Sequence, residues 1–285
     1  MMQSADTALL FVVVAMLAFI CEYMDATLGM GYGTTLTPLL LILGFQPLQV
    51  VPAVLLAQLA GGFLGGVLHH KFRNIYLDFR RDSEICKRLR YLGYVPRSHD
   101  SKIVYVLAVC GVAGALIAVF FTLNIPQALL ETYIGVMIMA VGIFMLRSRK
   151  HKFSWRKLVL IGLISSFNKG ASGGGYGPLV TSGQILSGSS ARNAVAATTV
   201  AEAIVCAVAF VAYLIAKGDI FWMLAVSTSL GSAAAAPLSV VTVRKISAEH
   251  LKNFVGFATI LLGALIILKV ICIDCVCIDY KMSIE

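Results

Sequence analysis

The stretch "GMGYGTTLTPLLLILG" (Gly29–Gly44) sets three glycines at alternate positions ahead of a short apolar run. As helix, residues 34–44 rise only ~16 Å, about half the ~30 Å hydrocarbon core of a bilayer. "GGGYGPLVTSGQILSG" (Gly173–Gly188) repeats the pattern 144 residues later. The register holds without a gap from Gly29–Leu59 to Gly173–Ala203. Nine positions are identical there: Gly29, Gly31, Tyr32, Gly33, Thr37, Gly44, Val51, Ala53 and Ala57, each with its counterpart. A weaker echo pairs "YIGVMIMAVGIFML" (133–146) with "FVGFATILLGALII" (254–267). The chain therefore divides into two tandem halves, 1–150 and 151–285. The first half alone carries a hydrophilic basic insert, 71–101.

The composition fixes the solvent. Hydrophobic residues make up 59% of the 285 and charged residues 13%, with a mean hydropathy of +0.88. A soluble domain carries roughly 25% charge, so this is an all-α polytopic membrane protein. Asp6 is the first charged side chain and no basic region precedes the first apolar run, so that run is expected to stay in the mature chain. The net charge of +9 does not signal nucleic acid. Nine of the 23 Lys and Arg lie in 71–102 and six in 147–157, beside apolar spans, where they act as cytoplasmic topology signals. Of seven cysteines, four are scattered, and the tail "CIDCVC" lacks the second ligand pair of a metal site. Neither a cofactor nor a metal is expected.

With both basic stretches inside, spans near 103–123 and 127–147 join outside through "NIP". In the second half, Arg244 and Lys245 prefer the inside, which inverts that half relative to the first. Each half must then cross an odd number of times. The reading that satisfies this is a glycine-broken re-entrant helical hairpin plus about three transmembrane helices per half. The arms preceding the motifs are 8–28 and about 156–168, and long spans follow at 47–70 and 189–216.

Irregular backbone at membrane depth is tolerated only where it lines a cavity or is buried in protein. Short helices starting near Thr34 and Pro178 would aim free N–H groups and positive dipole ends at the midplane, a ready anion site. Simple small-residue packing is the competing explanation, but alternate positions do not share one helix face. The candidate anion-binding residues are Gly29, Gly31, Tyr32, Gly33 and Thr34 from the first motif. Lys169, Ser172, Gly173, Gly174, Gly175, Tyr176 and Gly177 belong to the second. Charges inside an apolar zone are costly and mark function by default. Lys169 and Asp25 occupy equivalent positions, four residues before each motif, where they either pair or divide anion binding and proton uptake between them. Glu202, opposite Gln58 in the repeat, is mid-span, and Asp25 and Glu202 are the candidate proton-coupling acids. Glu22 lies one turn before Asp25. Arg192 and Asn193 open a span near the cytoplasmic surface, and His69 and His70 close one.

These carriers, "GMGYGTTLTPLLLILG" with "VPAVLLAQLAGG" and "NKGASGGGYGPLVTSGQILSG" with "AVAATTVAEA", resemble the TauE/SafE sulfite exporters. The resemblance spans nearly the whole chain except 71–101 and the tail after about 271. It implies a multi-pass cell-membrane carrier of a sulfur-containing anion such as sulfite, thiosulfate or an organosulfonate, often as an exporter; the protonatable acids Glu202 and Asp25 are expected to couple it to the proton gradient. Related thiosulfate importers use cysteines along the path. Here Cys21 and Cys206 alone lie near the loops and central spans, and neither is in a glycine loop. A passive anion channel built on the same loops is the alternative. An intramembrane enzyme fits poorly, since no nucleophile–base pair or nucleotide loop is evident. The insert 71–101 is expected as a solvated charged loop, and a homo-oligomer is left open.

Overall fold

The computed structural model describes residues 2–29, 31–81, 94–147, 154–186, 189–242 and 256–272. Among these are ten helices: α1 (Met2–Leu28), α2 (Tyr32–Ile42), α3 (Pro47–Lys71), α4 (His99–Asn124), α5 (Gln127–Arg147), α6 (Trp155–Ser172), α7 (Tyr176–Leu186), α8 (Ala191–Lys217), α9 (Trp222–Thr242) and α10 (Gly256–Cys272). Six contain segments long and apolar enough to cross a membrane, in α1, α3, α4, α5, α8 and α9. Large apolar side chains such as Phe63, Phe120, Ile215 and Phe257 point outward, as a lipid-facing surface requires.

Local chemistry sets the boundaries. Gln46 and Gln49 form a reciprocal capping box ahead of Pro47 at the start of α3. The Ser98 and Ser190 hydroxyls accept from the backbone N–H three residues on, opening α4 and α8. Gly173 at φ 72° and Gly218 at φ 70° close α6 and α8 in the left-handed conformation. Both glycine motifs are thus real helix breaks. The helices they feed begin at Tyr32 and Tyr176, two residues earlier than the sequence reading placed them. The arm into the second motif also runs on to Ser172, past 168, because Ala171 and Ser172 stay helical until Gly173.

Contacts at the helix ends place the hairpins. The Phe221 ring lies 6.1 Å from both Phe11 of α1 and Phe45 beyond α2. Nearby, the Lys217 ammonium donates to the Leu48 carbonyl at 3.0 Å. The α1–α2 hairpin, the start of α3 and the α8–α9 turn therefore share one face. On the other face, His99 stacks edge-on against Trp155 at 5.7 Å, and Asn193 donates to Asp100 at 2.8 Å. The α6–α7 hairpin opens there, at the far end of α8.

Packing repeats with the sequence. α1 lies along α9, and α6 lies along α4. Gly231 meets Ala15 and Ala18 of α1, while Gly170 of α6 meets Ala115 and Ala118 of α4. Such small residues let backbones approach where lipid supplies no hydrophobic drive. The echoing helices α5 and α10 also pair, Gly135 against Gly263 and Gly142 against Gly256.

Within the insert, Phe79–Arg81 (β1) and Tyr94–Pro96 (β2) form an antiparallel ribbon, so this part is ordered where a solvated loop was expected. Residues 82–93, Arg244 and Lys245, and the tail cysteines Cys275 and Cys277 fall outside the described residues.

The tightest approach is between the two glycine loops. A Cβ on Gly33 would strike the Gly173 carbonyl, and one on Gly174 would strike Gly33 and the Thr34 nitrogen. Gly33→Ala should therefore lower thermal stability by more than ~2 kcal/mol, because neither backbone can step aside. Gly218→Ala meets open space and should cost only ~1 kcal/mol for its left-handed φ. Thermal unfolding in detergent compares the two, and an unchanged Tm for Gly33→Ala would contradict this packing.

Candidate functional site

Where the loops meet, the spanning helices bring together four ionisable side chains. Lys169 is fully buried near the end of α6, and its Nζ lies 2.8 Å from Glu202 Oε1. Glu202 stands near the middle of α8. Gln58, near the middle of α3, donates from Nε2 to Glu202 Oε1 at 3.3 Å and to Asp25 Oδ2 at 3.5 Å. Asp25 Oδ1 in turn accepts the Tyr32 N–H at 3.1 Å, at the N-terminus of α2. Glu22 lies one turn before Asp25, and its carboxylate and the Ser232 hydroxyl both face Gly61. All three carboxyls are buried.

Gln58 and Glu202 stand at equivalent positions of the sequence repeat, and they hydrogen-bond to each other directly. Around this bond other contacts come in related pairs. The Thr181 hydroxyl donates to the Gly29 carbonyl at 2.7 Å, and the counterpart threonine, Thr37, lies against Gly173. Gly61 leaves room for Ser232 and Gly111 leaves room for Val205, each pair joining the two halves.

The sequence candidates divide in three ways. Lys169, Asp25 and Glu202 converge, but the lysine pairs with Glu202, not with its counterpart Asp25, and Gln58 completes the chain. Gln58 had stood out only as a repeat equivalent. Its signal was a polar amide at mid-span. The Thr34 and Ser172 hydroxyls are engaged within their own loops. Thr34 donates to the Gly31 carbonyl at 3.2 Å. Ser172 donates to the Asn168 carbonyl at 2.7 Å and accepts the Gly174 N–H at 3.1 Å. Gly29, Gly33, Gly173 and Gly174 lie at the crossing of the two loops. Gly175, at φ 82°, packs toward Met137 and Asn168 instead. Gly31, at φ 129°, caps α2, and Gly177 is buried in the first turn of α7.

Tyr32 and Tyr176, equivalent and fully buried, have hydroxyls without a hydrogen-bond partner among the described residues, as do Thr35, Thr37, Ser165 and Ser182. Such groups normally find partners, so a polar solute or water is the natural complement. Two contacts hold the lysine-bearing segment: Tyr133 donates to Asn168 Oδ1 at 2.6 Å and Tyr213 to the Gly170 carbonyl at 2.9 Å. No group of three or more potential metal ligands occurs among the described residues. Arg192 is exposed and Asn193 binds Asp100, both at the hairpin mouth. The buried cysteines near this zone, Cys21 and Cys206, are free thiols outside the loops.

Removing one partner from a buried ion pair strands the other charge at a cost of ~3–5 kcal/mol. Glu202→Ala should therefore lower the melting temperature clearly. The double replacement Lys169→Met with Glu202→Leu should recover most of the loss. A Glu202→Ala protein as stable as the parent would show that this carboxylate does not hold the lysine.

Two comparisons with known proteins complete the description. The family model described as sulfite exporter TauE/SafE matches residues 91–266. The probable membrane transporter protein YtnM of Bacillus subtilis (strain 168) is 28% identical over 268 residues, covering 89% of this chain and 81% of the relative. No solved structure matches significantly.

Proposed function

The chain belongs to the TauE/SafE sulfite exporter family, and from that premise we propose that it is a proton-coupled secondary transporter of a small sulfur-containing anion, with sulfite, thiosulfate or an organosulfonate as the substrate class. The observation that carries this reading is the buried Lys169 ammonium facing three buried carboxyls where the arms α1 and α6 end beside the middle of α8. Each uncompensated charge at that depth is expensive. One ammonium balances one carboxylate, so the cluster is neutral when two protons reside on Glu22, Asp25 and Glu202.

The arrangement suggests how an anion and protons travel together. Asp25 occupies the donor end of α2 and Glu202 occupies the lysine, which are the places an oxyanion would take. When protons neutralise these acids, the Tyr32 N–H and Lys169 Nζ become free to bind the solute. Both are fixed by the fold, so little reorganisation is needed. The unpartnered Tyr32 and Tyr176 hydroxyls would supply further donors. The two halves act as inverted repeats, with hairpins dipping from opposite faces, as in carriers whose site lies between broken helices. Access would alternate as the Gly33 and Gly174 backbones part on one side or the other. Their close contact favours a carrier over a passive channel.

Losing a charge-assisted contact of ~1.5–3 kcal/mol weakens anion affinity on the order of ten- to hundredfold. In proteoliposomes, Lys169→Met should reduce sulfite or thiosulfate flux on that scale. Asp25→Asn and Glu202→Gln should uncouple flux from an imposed pH gradient. Wild-type flux in Lys169→Met would remove the lysine from the mechanism, and large unitary currents without saturation would favour the channel.

A further inference from the structure

A second polar site lies at the Asp100 face, well away from the central cluster. Beyond the end of α3, a cavity of about 640 Å³ is lined by His70, Lys71, Arg73, Tyr76, Asp100 and Asn193. Lys71 and Arg73 are exposed, and neither has an acidic partner among the described residues. The Asp100 carboxylate is already engaged, accepting the Tyr76 N–H at 3.2 Å and the Asn193 amide at 2.8 Å. Arg73 holds φ 56°, a left-handed conformation seldom adopted by a long side chain.

His70 also lines a second space, an apolar groove of about 540 Å³ between α3 and α8 walled by Leu59, Phe63, Val67, Val200, Ile204 and Ala207. From Leu59 to His70 the helix rises ~16 Å, the depth of one leaflet's hydrocarbon, about half of ~30 Å. A basic pocket at the membrane edge and a groove of one leaflet's depth meet at a single residue.

We infer that this composite surface binds one anionic phospholipid, its phosphate on Lys71 and Arg73 and an acyl chain in the α3–α8 groove. Charge complementarity selects the headgroup, and the groove length selects a lipid over a soluble phosphate. The groove is walled by α3 and α8, the helices that carry Gln58 and Glu202, so the bound lipid packs against two helices of the central cluster.

The test is native mass spectrometry of the purified full chain, titrated with phosphatidylglycerol or with phosphatidylcholine of identical acyl chains. Phosphatidylglycerol should be retained at about one per chain, with roughly thirtyfold preference, since two basic residues near a headgroup contribute ~1 kcal/mol each. Lys71→Gln with Arg73→Gln should abolish the preference. Ala207→Phe, which fills the groove and spares the charges, should weaken both lipids. Should a variant elute as aggregate, the wild-type preference alone decides, because it must shrink as salt rises. Equal retention of the two lipids overturns the inference. So does a preference that survives both charge removals, or glycerol phosphate competing as well as the intact lipid.

Discussion

A single fully buried ammonium, that of Lys169, governs this helical bundle. Its burial is tolerable only because Glu202 lies 2.8 Å away. That pair requires α6 and α8 to meet with little bulk between them. Beside that pair the two glycine loops touch backbone to backbone, Gly33 on Gly173 and Gly174, where any side chain would intrude. Gln58 then draws α3 and the Asp25 of α1 into the same centre. The small-residue contacts of α1 with α9 and of α4 with α6 extend that closeness outward.

The two halves share geometry and differ in charge. At equivalent positions one arm carries Asp25 and the other Lys169, and the long spans carry an amide, Gln58, and an acid, Glu202. A perfectly symmetric site would present two like charges to each other at low dielectric, which is strongly disfavoured. Breaking the symmetry in charge alone gives one cationic and one acidic arm on the same scaffold. The α1–α2 hairpin opens beside the α8–α9 turn, and the α6–α7 hairpin opens at the other end of α8.

Much of this was legible in the sequence because the repeat is local and ungapped over its decisive part. The motif offset, the truncated helices after each glycine run, and the candidates Asp25, Lys169 and Glu202 all follow from spacing and burial cost. Pairing did not follow. That Lys169 meets Glu202 and not Asp25 depends on how α6 crosses α8, which periodicity does not encode. The Thr34 and Ser172 hydroxyls looked available for a ligand, yet short-range turn geometry commits them to their own loops. The ribbon of β1 and β2 was hidden because a charged insert reads as loop when its strands are three residues long.

In the proposed mechanism, solute and resident carboxylates compete for the same donors, so that anion binding takes up protons. Calorimetric titration of the purified protein with sulfite or thiosulfate, in two buffers of different ionisation enthalpy, measures that uptake directly. Net proton gain on binding is expected in the parent, diminished in Glu202→Gln. Binding heats that are independent of the buffer in the parent protein would contradict it.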